Sequence, residues 1–298
     1  MILEEFKRYF ISKFNIVLFF ASILVIVFAT WQNYSEKQEF VQHLSTTYSY
    51  TDIEFLTMMV DGWTGTFLFE RLFFLNTDYY TIFWMVLMIG IGIHIGADTF
   101  WAVQSNYGTM LITRMSYRKY LKNTLLAQLL YMATFISIIF ASIFIGLVFF
   151  GGGGFQISPI SRAGDLSTAS YFFVLLGLVV YSIICMIPLI LISSLSSFFL
   201  KNKYIIQFIP ICILLGSYIL GFILGNVSMF LSLIFRQFIF EHALSMLTSV
   251  ISPYVTFSDN QQTIEILAFV IIYPSLLFVV VAILYKKNIS QLGENYIS

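Results

Sequence analysis

Charge is what this sequence has least of. Only 10% of its 298 residues are Asp, Glu, Lys or Arg, against roughly 25% in a typical soluble domain. With 59% hydrophobic residues and a mean hydropathy of +0.89, that shortage excludes an ordinary water-soluble fold and points to a polytopic membrane protein. Cysteine is nearly missing too. Cys185 and Cys212 both sit inside apolar runs, so they read as small buried hydrophobes and not as a disulfide framework. The first apolar stretch ends Phe28-Ala29-Thr30-Trp31, which lacks a small-x-small cleavage site, so it is expected to stay as an uncleaved span. Alanine is sparse while Phe reaches 33 residues, which points to an AT-rich, bacterial genome. No phosphate loop of the Gly-x4-Gly-Lys-Ser/Thr type occurs, which excludes ATP hydrolysis by this sequence itself.

The charges that are present are sorted. Eleven of the fifteen basic residues fall in four clusters: Lys7, Arg8 and Lys13; Arg114, Arg118, Lys119 and Lys122; Lys201 and Lys203; Lys286 and Lys287. The intervening loops on the opposite side carry Glu36, Glu39, Asp52, Glu54, Asp61, Glu70, Asp78, Asp165, Glu241, Asp259 and Glu265. Short cationic segments are held in the cytoplasm during insertion. The clusters therefore lie inside, with only Lys37, Arg71, Arg162 and Arg236 outside.

A span needs about 20 mostly apolar residues. Six stretches qualify: 14–31, 80–102, 125–150, 171–200, 204–225 and 264–285. The expected fold is an all-α polytopic membrane protein, a single transmembrane domain over 1–298 with both termini cytoplasmic. Residues 226–263 are apolar but carry Arg236, Gln237, Glu241 and His242 in the middle. A charge at the centre of a span costs about 2.5–3.5 kcal/mol, so this segment reads as an external re-entrant helical hairpin between spans five and six. Residues 32–79 read as a long acidic external loop, with an amphipathic helix at 53–59. The glycine run 151–154 reads as a helix stop, since no Lys-Ser/Thr follows to complete a phosphate cradle. Residues 1–15 place Ile2, Leu3, Phe6, Tyr9, Phe10 and Phe14 on one face, as an amphipathic helix lying in the headgroup plane with its charges in water does. Orienting the first span is the other role open to it.

The sizeable cytoplasmic segment is 98–122. Gly108 and Thr109 open a short helical piece, and Ser116 caps the next at the entry to span three. Such a knob suits docking to a cytoplasmic partner, although a plain basic loop that fixes topology has the same composition. Elsewhere, Gly92 and Gly96 form a small-xxx-small pair, and Ser217, Gly221 and Gly225 form a longer stripe in span five. Stripes of this kind let helix backbones approach, within one subunit or between two. His94 and Asp98 stand one turn apart, a spacing that suits a proton relay or two metal ligands. No third ligand lies nearby in sequence, and Asp98 falls near the wet end of its span. Arg236, Glu241 and His242 are ionisable groups at the membrane, and an external gate with Arg236 paired to Glu241 is one reading; a pairing that only steadies the hairpin is the other.

This ordered set resembles the membrane subunits of type 2 ABC exporters, the ABCG-like permeases, over essentially the whole chain. The family's loop tends to read Gly-Thr, then Arg or Pro, Ser-x-x-x-Tyr and a basic residue; Gly108-Thr109, Arg114, Ser116, Tyr120 and Lys122 follow that tendency. The resemblance implies a translocation path built as a dimer with a second permease subunit, identical or related. It also implies coupling to separate cytoplasmic ABC ATPase subunits through Gly108, Thr109, Met110, Leu111, Thr113, Arg114, Arg118 and Tyr120. ATP-Mg would sit on the ATPase, with no cofactor or metal held by this chain and no nucleic-acid partner. Ser217, Gly221 and Gly225 would face the second subunit, and an exported peptide or other amphiphile would suit the aromatic-rich path. The long first external loop departs from the simplest members.

Two other classes compete. An intramembrane serine protease needs a buried Ser with a His on another span, and no Gly-x-Ser-x-Gly occurs. A prenyl-protein protease needs Glu-Glu-x-x-x-Arg with histidine motifs; Glu4-Glu5 has Arg8 one place early and no such support. A secondary transporter would show inverted repeats and paired mid-membrane acids, which the sequence does not.

Overall fold

The computed structural model describes residues 2–47, 64–74, 78–104, 116–150, 168–200, 202–224 and 273–295. Long apolar runs in lipid must satisfy their backbone polar groups internally, which a helix does segment by segment. The described residues accordingly form helices and no strand. In chain order these are α1 (Ile2–Phe10), α2 (Lys13–Thr47), α3 (Gly65–Phe74), α4 (Asp78–Gln104), α5 (Tyr117–Phe150), α6 (Thr168–Ser196), α7 (Lys203–Leu224) and α8 (Tyr273–Asn295). Among them, three are long and apolar enough to cross a membrane, through Lys13–Glu39, Met85–Val103 and Tyr117–Phe149. Shorter apolar segments occupy Met186–Ser196 and Lys203–Ile213. These helices point to a membrane protein.

Helix α4 lies at the centre, packed against α2, α6 and α7, while α5 takes α1, α3 and α6 on its own flanks and α8 rests chiefly on α6. The core is the meeting of Leu87, Ile91 and Ile95 from α4, Ile136 and Ile139 from α5, and Leu189 and Ile190 from α6. Outward, α2 presents Val17, Phe20, Leu24, Val27, Phe28 and Trp31, an apolar surface of the kind lipid covers.

The small residues of α4 have their explanation inside this one chain. A Cβ added at Gly92 would come within 2.7 Å of Pro210 Cγ on α7, and one at Gly96 within 3.1 Å of Ser193 Oγ and 3.2 Å of Ile206 Cγ2. Pro210 lacks an N–H and its ring makes a bump in α7; Gly92 is the notch that receives it. Ser193 Oγ then donates to the Ile206 carbonyl at 2.7 Å, tying α6 to α7. The pair Gly92 and Gly96 thus serves packing within the subunit.

Several boundaries differ from the sequence expectation. The amphipathic helix ends at Phe10 and does not run to residue 15, because Ser12 caps a new helix: the Phe14 N–H donates to Ser12 Oγ at 3.3 Å. Helix α2 runs 35 residues to Thr47, well past the expected end at 31. Part of the expected external loop 32–79 is folded into the bundle, since α3 buries Leu68, Phe69 and Leu72 in the core. Gly65 approaches the Leu147 carbonyl of α5 so closely that a methyl group would not fit. Cys212 is exposed on α7, not buried. Ser116 stands before α5 as expected, its carbonyl accepting from the Lys119 and Tyr120 N–H groups at 2.9 and 3.0 Å. The segments 53–59, 151–154 and the re-entrant 226–263 lie outside the described residues.

Candidate functional site

Polar side chains converge where α1 meets α4 and α5. The expectation of charges in water holds on α1 for Glu4 and Lys7 and fails for Glu5. Tyr9 is fully buried and Glu5 only 3% exposed, while the apolar Leu3 is 64% exposed. Glu5 and Tyr9 are one turn apart and share the face turned to the bundle, so α1 is anchored into the protein as well as along its surface.

Arg8 makes this burial tolerable. Its Nη2 donates to Asp98 Oδ2 of α4 at 2.5 Å and lies 2.9 Å from Glu5 Oε2. A buried carboxylate is costly unless paired, and here one guanidinium serves two. Burial, the largest single influence, works against the Arg8 charge. The neighbouring Tyr9, Asp98 and Glu5 and the Asp98 hydrogen bond outweigh it, so the guanidinium holds its proton above its ordinary value. Burial also pushes the Tyr9 phenol up, with Asp98 acting in the same direction, so Tyr9 stays neutral.

Tyr9 then reaches across to α5, its Oη accepting from Gln128 Nε2 at 3.1 Å. Gln128 Nε2 also donates to Thr99 Oγ1 of α4 at 2.9 Å. Asn15 closes the turn between α1 and α2 by donating to the Tyr9 and Phe10 carbonyls at 2.5 and 3.0 Å. Its Oδ1 accepts from Tyr131 of α5 at 2.5 Å. His94 Nε2 lies 3.0 Å from the same Tyr9 carbonyl, which identifies Nε2 as the protonated nitrogen. The imidazole stacks on Phe14 at 5.5 Å and meets the Tyr131 ring edge-on at 5.8 Å.

The arrangement is a clamp. It joins α1 and the start of α2 to the second half of α4 and the first half of α5, the two helices that flank residues 105–115. His94 and Asp98, the pair whose spacing suited a relay or metal, are engaged with Tyr9 and Arg8. Among the described residues no group of three or more His, Cys, Asp and Glu is placed to hold a metal.

The sequence-predicted residues are distributed differently. Gly108, Thr109, Met110, Leu111, Thr113 and Arg114 lie outside the described residues, as do Gly225, Arg236, Glu241 and His242. Arg118 is exposed on the first turn of α5, whereas Tyr120 is 3% exposed and packs into the bundle. Ser217 and Gly221 fall on the second half of α7. Of the clamp residues, the sequence marks Glu5, Arg8 and Tyr9 only as parts of an amphipathic surface helix, and Asn15, Gln128 and Tyr131 carry no motif. Their signal was there: Asn15 and Gln128 are polar residues inside or beside apolar runs, and such residues seldom go unused.

Beyond the clamp, toward the opposite end of the bundle, α2, α3 and α5 enclose a groove of about 510 Å³. Ile23, Ile26, Leu68, Ile143 and Leu147 make it apolar, and Thr30, Tyr34 and Lys37 add polar groups toward one end. Gly146 borders it with no atom within 4 Å of where a side chain would stand. No family model, curated protein or solved structure matches the chain.

Proposed function

We propose that this chain is the membrane-spanning permease subunit of an ABC exporter in a bacterial cell membrane. In this reading six helices span the bilayer with both termini inside, 226–263 dips into the outer face, and two permease subunits form the path. Separate ATPase subunits bind ATP-Mg and act on the loop within 98–122. The observation that carries the reading is the clamp on the second half of α4 and the first half of α5. Arg8 holds Asp98 in α4, and Tyr9 holds Gln128 in α5, so the helices flanking 105–115 and the helix α1 form one unit. A force applied to that loop is then delivered to spans and not dissipated in one flexible connection. The apolar groove with its polar end supports an amphiphilic or peptide cargo. The absence of a phosphate loop in the sequence requires the ATPase in trans.

The test is a mild-detergent pulldown of the tagged chain with an ATPase assay on whatever accompanies it. The expected result is a vanadate-sensitive ATPase of separate sequence, whose hydrolysis is uncoupled from transport by Met110→Ala or Arg114→Ala without loss of the folded permease. Recovery of this chain alone, inert toward ATP, overturns the reading in favour of an ATP-independent transporter or intramembrane protease.

A further inference from the structure

A second cavity, of about 620 Å³, opens at the other end of the molecule from the groove, between the first turns of α5 and the adjoining parts of α6 and α8. Its mouth carries Arg118, Lys119 and Lys122, all exposed. Arg118 and Lys122 are four residues apart and Lys119 and Lys122 three, so the three cations lie close together on the helix surface and repel one another. Among the described residues none of the three pairs with an acid, and none of the described lining residues is acidic. They also sit within the first two turns of a 34-residue helix, whose N-terminus favours an anion.

The depth of the cavity has the opposite character. Leu125, Leu126 and Leu129 continue the stripe begun by Lys122 along α5, with Leu191 of α6 and Tyr285 of α8 as the other walls. A small soluble anion needs only the mouth, and a neutral apolar guest needs only the depth. A molecule that satisfies both has a negative head and a hydrocarbon body, oriented along a helix that is long and apolar enough to span a bilayer. Basic pockets between spanning helices are where anionic headgroups settle, and a tyrosine at the polar level marks the membrane interface.

We propose that this cavity is a binding site for one anionic phospholipid, its phosphate held by Arg118, Lys119 and Lys122 and its acyl chains along Leu125, Leu126 and Leu129. The inference needs only that α5 crosses a membrane. It uses neither the ATPase partner nor the direction of transport, so its failure would leave the exporter reading standing, and the reverse.

The test is native mass spectrometry of the purified full-length chain released from micelles containing equal phosphatidylglycerol and phosphatidylcholine. One retained phosphatidylglycerol, favoured on the order of a hundredfold, is expected from three cations at the headgroup. Combined R118Q, K119Q and K122Q substitution brings the two lipids to parity. The control removes three other cations from the same end of the bundle by K7Q, K13Q and K203Q, and keeps the preference. Leu129→Trp, at a half-buried wall position, narrows the apolar part while leaving the cations and lowers retention of both lipids. Equal retention by the unaltered chain overturns the proposal, as does a preference that survives R118Q/K119Q/K122Q. Displacement of the bound lipid by millimolar glycerol 1-phosphate would show a soluble-anion site and also overturn it. An unchanged thermal midpoint in each variant excludes unfolding as the cause.

Discussion

Arg8 illustrates how one side chain decides where a helix sits. An amphipathic segment with two acids in its first turn can float on a membrane surface. Pairing Arg8 with Asp98 and Glu5 lets it be built into the protein instead. Hydrogen bonds to charged groups contribute about 1.5–3 kcal/mol, and with Arg8 and Asp98 each roughly one-third exposed the lower end applies here. Arg8→Gln or Asp98→Asn should therefore lower the midpoint of thermal unfolding in detergent by several degrees. The double variant R8Q/D98N should lose less than the sum of the two singles, with the double-mutant cycle giving a coupling above about 0.5 kcal/mol. Strict additivity of the two single substitutions would mean that the pair is not coupled. The residues of this clamp were the least legible part of the sequence. Glu5 and Arg8 look like solvated charges on any helical wheel, and nothing local says that Asp98, ninety positions on, will meet them.

At the scale of helices, the sequence was read correctly where periodicity and length speak, and less well where packing decides. The expected runs 14–31, 80–102 and 125–150 fall within α2, α4 and α5, the three helices long and apolar enough to cross a membrane. The runs 171–200 and 204–225 overlap α6 up to Ser196 and α7 up to Leu224, since a long hydrophobic stretch satisfies its backbone as a helix. The length of α2 and the burial of α3 were not legible. Gly65, Leu68, Phe69 and Leu72 do not exceed the threshold for a span, and contact chiefly with α5, and also with α2 and α4, gives them a place. Glycines were read as interface markers without a partner being known. Their surroundings now separate them. Gly92 receives Pro210, so Gly92→Ala should overpack α4 against α7 and cost about 1–3 kcal/mol. Gly216, in the second half of α7, has nothing within 4 Å, so Gly216→Ala should stabilise the helix by about 0.5–1 kcal/mol. Thermal unfolding of the two variants under one condition checks both signs at once. A destabilising Gly216→Ala would mean that something does occupy that face.

For the whole molecule, the distribution of charge makes a prediction independent of any partner. The positive-inside rule predicts the basic ends of α5 and α7 inside and the far end of α2 outside. In a background with Cys185 and Cys212 replaced by Ser, a membrane-impermeant thiol reagent should label Gln42→Cys on intact cells. Ser116→Cys and Asn202→Cys should be labelled only after lysis. Labelling of Ser116→Cys on intact cells would invert the topology, and with it the side from which an ATPase could act. The same ends of the helices hold Lys203 over Trp101 at 5.9 Å and Lys287 over Phe199 at 5.0 Å. Such pairs keep cations beside aromatic rings where headgroups begin.

The length of α2 has a consequence of another kind. Thirty-five residues at 1.5 Å each make a rod of about 52 Å, against roughly 40–45 Å for a bilayer with its headgroups. Even leaning at the usual angle of about 20°, the rod rises clear of the lipid on the far side. With the basic ends of the helices inside, a water-borne visitor, whether an antibody or a protease, would meet the end of that rod before it meets the membrane. An epitope grafted after Thr47 would fly from that end, legible on unbroken cells and remote from the clamp at its foot.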